Sequence, residues 1–145
     1  MTSTKAGLDD IRIHVRFKLA ALWTSVMFCY AYGDIFWLYQ PGKLQQMLAG
    51  RIPPFGPATQ GALVAVSVSM AVPALMIVLS LMLKAGLSRW LNIIVGVLYS
   101  LFVCLTMRRA WAFYLFLGSV DIALTLLIVW HAWTWPLRAS RDGSL

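Results

Sequence analysis

Two carboxylates stand inside runs that are otherwise apolar and aromatic. Asp34 lies in CYAYGDIFWLYQ, residues 29–40, and Asp121 lies in FLGSVDIALTLL, residues 116–127. An acid held away from water is costly to ionise, so it needs a partner, a proton or a ligand. The chemistry open to such a residue is proton exchange, or the binding of a small apolar or cationic molecule beside it.

Asp121 carries the sharper signal. On a helix, Gly118 and Thr125 share its face at i−3 and i+4, and Tyr114 follows at i−7. Three other apolar runs supply polar groups at a matching depth: Tyr30, Ser69, and the pair Tyr99 and Ser100. Pro73 has no N–H to give the Ser69 carbonyl, so that acceptor is freed and a kink is expected there. Two readings stay open for Asp121: an acid that exchanges protons or binds a ligand, or a neutral acid hydrogen-bonded across helices.

Asp34 lies five residues before Tyr39, near the end of its run. The C-terminal end of a helix carries partial negative charge and repels a carboxylate. Arg108 and Arg109 are candidate ion-pair partners, with stems long enough to reach inward. Tyr114 is a candidate hydrogen-bond donor to the same acid. A structural ion pair, a binding role and snorkelling to headgroups are the three readings of Asp34.

The elements that must position these groups follow from composition. Of 145 residues, 61% are hydrophobic and only 12% charged, about half the charge of a soluble domain; mean hydropathy is +0.78. The apolar residues fall in four blocks, residues 17–39, 61–83, 90–107 and 111–135. Each is long enough to cross a hydrocarbon core of about 30 Å as a helix. The expected fold is all-α: a polytopic membrane protein built as an antiparallel four-helix transmembrane bundle of residues 17–136. Residues 1–16 and 137–145 flank it as an N-terminal segment and a tail. Leu8, Ile11 and Val15 have the spacing of a short helix lying on the bilayer, and a disordered segment is the alternative.

Ala31-Tyr32-Gly33 has the small-x-small form of a signal-cleavage site. Tyrosines crowd it and apolar residues continue through Leu38, so the first block is expected to remain as a span. The first loop, QPGKLQQMLAGRIPPFGPATQ, is the only long one. Pro41-Gly42 ends the first span and Pro53, Pro54 and Pro57 forbid later helix. Between them Leu44, Met47, Leu48 and Ile52 can share the apolar face of a short interfacial helix.

Net charge of +7 is distributed around the spans rather than gathered in one patch. Eight Lys and Arg lie in the N-terminal segment, second loop and tail, against Lys43, Arg51, Arg108 and Arg109 in the first and third loops. The positive-inside rule then places both termini in the cytoplasm, with anionic lipid at the inner face as the partner of the basic side. Nucleic acid is not expected, because phosphate contacts need clustered cations on one reachable face. Trp37, Tyr39, Trp90, Trp111, Trp130, Trp133 and Trp135 fall at span ends, as amphipathic rings at headgroup level should. Trp23 and Phe28 read as core aromatics.

Other chemistries find no support. Cys29 and Cys104 stand about 10 Å apart in depth by helical rise, beyond the roughly 7 Å a disulfide allows, and both read as packing residues. His14 and His131 lack neighbouring metal-ligand spacing. No phosphate loop or nucleophile motif appears, so no cofactor is expected and an enzyme is the lesser reading. In the third span Asn92, Gly96 and Tyr99 form a polar stripe at i, i+4, i+7, with Gly96 letting a neighbouring helix approach.

The stretches FKLAALWTSVMFCYAYGDIFWLYQPG, AVPALMIVLSLMLKAGLSRWLNIIVGV and VWHAWTWP resemble the domain of unknown function 6326 family, small bacterial membrane proteins with four spans. The residues that carry the resemblance are Tyr32, Asp34, Pro41-Gly42, Gly50, Pro73, Ser80, Arg89-Trp90, Asn92 and Trp133. It implies a bacterial plasma membrane and an acid in the fourth span, often glutamate in that family and Asp121 here. It implies no activity. The leading expectation is therefore a small membrane protein that binds or moves a small molecule or proton through an acidic intramembrane pocket. By analogy with small four-span exporters, a homodimer is one arrangement open to it. A non-catalytic assembly or partner-binding subunit is the alternative, and a lipid-modifying enzyme the third.

Overall fold

A computed structural model describes residues 12–52, 56–108 and 110–136. Four helices are long and apolar enough to cross a membrane: α1 (Val15–Leu38), α3 (Gln60–Met82), α4 (Ala85–Thr106) and α5 (Ala112–Trp133). Together they form an all-α bundle, and the chain is a multi-pass membrane protein. Between the first two lies a short α2 (Lys43–Leu48), followed by an antiparallel hairpin of β1 (Arg51–Ile52) and β2 (Gly56–Pro57).

Three expectations change here. The third span starts at Ala85, not at residue 90, which leaves only Leu83 and Lys84 between α3 and α4. Ser88 and Arg89 look like loop residues in the sequence but find partners inside the bundle. Ile52 sits in the hairpin instead of on the face of α2. Phe28 is 59% exposed on the outside of α1, whereas Trp23 is fully buried as expected. The N-terminal segment through Ile11, the tail from residue 137, Pro53, Pro54 and Arg109 fall outside the described residues.

Local chemistry explains the helix ends. Thr59 caps α3, its Oγ1 accepting from the Ala62 amide at 3.2 Å and satisfying one of the four orphan donors of a helix start. Gly42 opens α2 with φ of 78°, and Gly50 follows it at 69°, conformations that disfavour any residue with a Cβ. At the end carrying both termini, two arginines close helix C-termini. Arg16 Nη1 donates to the Leu81 carbonyl at 2.9 Å and Arg89 Nη2 donates to the Trp133 carbonyl at 3.1 Å. Each cation meets carbonyls that have no helical partner, where the helix dipole favours positive charge.

The bundle is packed unevenly along its length. Leu19, Trp23, Val26, Met76, Ile93, Ile128 and Ala132 form the apolar core, and all belong to the half nearer the termini. A buried polar knot ties the same half together. Asn92 Oδ1 accepts from Trp23 Nε1 at 2.7 Å and from Ser80 Oγ at 3.1 Å, while Asn92 Nδ2 donates to the Ser88 carbonyl at 2.8 Å. Helix α1 packs on both α3 and α5, and α5 packs on α4. Although joined by two residues, α3 and α4 meet only sparsely.

Candidate functional site

The half of the bundle toward α2 encloses a cavity of about 350 Å³ to which all four long helices contribute. Helix α1 supplies Cys29, Tyr30, Gly33 and Asp34; α3 supplies Ser69 and Met70; α4 supplies Leu98, Tyr99, Phe102 and Val103. Helix α5 completes the wall with Tyr114, Leu117, Gly118 and Asp121. At 1.5 Å rise, Tyr30, Ser69, Tyr99 and Asp121 all stand about 10–14 Å from the α2 end of their helices. One level of the bundle thus receives a polar group from each helix.

Asp121 is the most confined of these groups. It is 2% exposed, and neither carboxylate oxygen has a hydrogen-bond partner. The Tyr30 hydroxyl stands close enough to act on that carboxylate, but no hydrogen bond closes between them and Tyr30 Oη is also unpartnered. Buried polar atoms are nearly always paired in folded proteins, so three on one cavity wall without a partner among the described residues set this level of the bundle apart.

The carbonyl that Pro73 leaves free finds a partner. The carbonyl of Ser69, freed by Pro73, accepts the Tyr99 hydroxyl. That bond crosses from α4 to α3 and fixes the Tyr99 ring between Trp23 and Tyr30, at centroid distances of 6.2 Å from each. The Ser69 side chain turns back to the Val66 carbonyl at 2.7 Å. Thr125 does not line the cavity. Its hydroxyl contacts Ser100 Oγ at 2.7 Å and the Asp121 carbonyl at 3.0 Å, so it braces the helix behind the acid.

Asp34 does not receive the Tyr114 hydroxyl. It lies at the cavity margin, exposed, and among the described residues no ion pair reaches it. Arg108 is exposed beyond the end of α4 and the other candidate, Arg109, is outside the described residues. Tyr114 donates to Thr106 Oγ1 at 3.0 Å rather than to Asp34. The tyrosine is held by the neighbouring helix, a partner that sequence spacing alone could not select. Cys29 lines the cavity and Cys104 is exposed; both are free thiols, and neither is a core packing residue.

Sequence reasoning named six of the lining residues and missed the apolar ones, chiefly Met70, Leu98, Phe102 and Leu117. It also missed the Trp23–Asn92 bond, although an indole N–H and an asparagine in apolar spans each demand a partner. The model of a family of unknown function (DUF6326) matches residues 9–140. The chain belongs to that family. Several residues that carried the resemblance to DUF6326 now have structural reasons: Ser80 and Asn92 share the polar knot, Arg89 closes α5 over Trp133, and Pro73 opens the Ser69 carbonyl. No curated protein and no solved structure matches the chain.

Proposed function

We propose that this membrane protein binds a small molecule or proton at Asp121 and carries it through, or holds it within, the four-helix cavity. The observation that carries the reading is the unpartnered Asp121 carboxylate on the cavity wall. An acid in an apolar hollow, with no fixed bond to break, can gain and lose a proton or a counter-charge without unfolding its surroundings. The titratable groups facing it are Cys29, Tyr30 and Asp34 on α1, Tyr99 on α4 and Tyr114 on α5; α3 brings only Ser69. Among the described residues, no Lys or Arg lines the cavity. The membrane is taken as a bacterial plasma membrane with both termini in the cytoplasm, on the charge asymmetry of the loops. The cavity would then lie in the outer half of the membrane.

An assembly subunit, in which the acids fix helix pairing, would have each acid bonded to a neighbouring helix. The free oxygens of Asp121 weigh against that role, while the Asn92 knot already ties the helices together.

Vesicles containing the purified protein test the reading. They should dissipate an imposed pH gradient faster than protein-free vesicles, and both Asp121→Asn and treatment with dicyclohexylcarbodiimide should remove the difference. Equal rates for the wild type and Asp121→Asn, at matched protein content, would refute it.

A further inference from the structure

The wall of the cavity discriminates among ligands by charge. Among the described residues it holds two carboxylates, Asp34 and Asp121, and no basic side chain. It also holds four rings, Tyr30, Tyr99, Phe102 and Tyr114, of which Tyr30 and Tyr99 stand 6.2 Å apart at 41°. An anion would meet two like charges. A neutral apolar guest would leave the Asp121 oxygens as unbonded as before. A cation with an apolar body uses every part of the wall: its charge against the carboxylate and the ring faces, its body against Met70, Leu98 and Leu117.

The sparse contact between α3 and α4 marks the route in. Their polar contacts are Ser80 with Asn92 and Ser88 near the two-residue link, and Tyr99 with the Ser69 carbonyl midway. Leu98 and Phe102 line the cavity and yet are 58% and 51% exposed on the outside of α4. This side of the bundle faces hydrocarbon in a spanning chain, so the gap admits molecules dissolved in lipid. A volume of about 350 Å³ is near the lower end of ligand pockets, roughly 300–1,000 Å³, and suits a body of about one ring.

We propose that the cavity holds a monovalent organic cation, an ammonium-type head on a small aromatic or alkyl body, admitted from within the bilayer between α3 and α4. This rests on the function proposed above and names its ligand class. Benzyltrimethylammonium and neopentylbenzene share one shape and differ by a charged nitrogen in place of carbon, so they isolate the charge. With the protein in nanodiscs, and binding to protein-free nanodiscs subtracted, the cation should bind about ten-fold or more tightly than its neutral isostere. Asp121→Asn should bring the two within about three-fold of each other, and Asp121→Glu should restore the preference. Unchanged elution and tryptophan emission would establish that each variant is folded.

Equal affinity in the wild-type protein, a preference that survives Asp121→Asn, or no binding of the cation would each overturn the inference. If the Asp121-dependent pH flux persists in those cases, only the ligand class is wrong. If that flux is absent as well, the proposed function falls with it.

Discussion

Asn92 shows what one buried amide does in an apolar bundle. It is fully buried and joins α1, α3 and α4 through Trp23 and Ser80 together with its own helix through Ser88. Asn92→Ala would leave the Trp23 N–H without an acceptor, a loss of about 1–3 kcal/mol. Detergent-denaturation curves should show it as a lower midpoint. The Trp23→Phe/Asn92→Leu pair should recover much of that loss, because replacing both partners by apolar groups strands no donor, and the Ser80 hydroxyl can turn back to a carbonyl on its own helix. A double variant as unstable as Asn92→Ala would show that packing volume, not the hydrogen bond, sets the cost. Asp121 is the opposite case at equal burial: its carboxylate has no bond to lose. Asp121→Asn is therefore expected to leave the denaturation midpoint nearly unchanged while changing ligand and proton behaviour, and this separation of stability from function distinguishes a site from a fastener.

Among the helices, the tightest approach is α4 on α5. A Cβ at Gly96 would lie 2.9 Å from Val129 Cγ2 and 3.4 Å from the Thr125 carbonyl oxygen. The branched valine has little rotamer freedom in a helix, so Gly96→Ala must push the helices apart, at about 1–3 kcal/mol. Val129→Ala should restore stability in the same background, measured by the same denaturation curves. Gly118 is a useful contrast, since a Cβ there meets the Met107 thioether at 2.9 Å, a flexible side chain that can swing away. Gly118→Ala should be tolerated where Gly96→Ala is not. The spans and the Gly96 approach were legible in the sequence because length, hydropathy and small-residue spacing are properties of single helices. So was the free Ser69 carbonyl, because the missing proline N–H announces it, although its partner Tyr99 was not. Helix rotation was not legible: lipid is as apolar as a protein core, so nothing in the residue types tells exposed Phe28 from buried Trp23. The start of α4 at Ala85 was hidden for a related reason, since Ser88 and Arg89 look like loop residues until their partners on other helices are known.

On the scale of the whole chain, two asymmetries run along the same axis. The half nearer the termini is filled with apolar side chains and knotted by Asn92; the half toward α2 is hollow and lined by acids and rings. Among the described residues Arg12, Arg16, Lys18, Lys84 and Arg89 lie toward the filled half, against Lys43, Arg51 and Arg108 toward the other, and the proposed orientation, which follows the positive-inside rule, turns the hollow half outward. Orientation is then a prediction with a direct readout. In a background of Cys29→Ala and Cys104→Ala, Gln45→Cys in α2 should react with a membrane-impermeant maleimide on intact cells. Lys84→Cys in the α3–α4 link should react only after permeabilisation. The reverse pattern would place the hollow half on the cytoplasmic side, where the cavity would take its ligand from the cytoplasmic half of the bilayer. Labelling of both positions from one face would contradict the four-span bundle itself, because α3 alone separates the two positions across the bilayer.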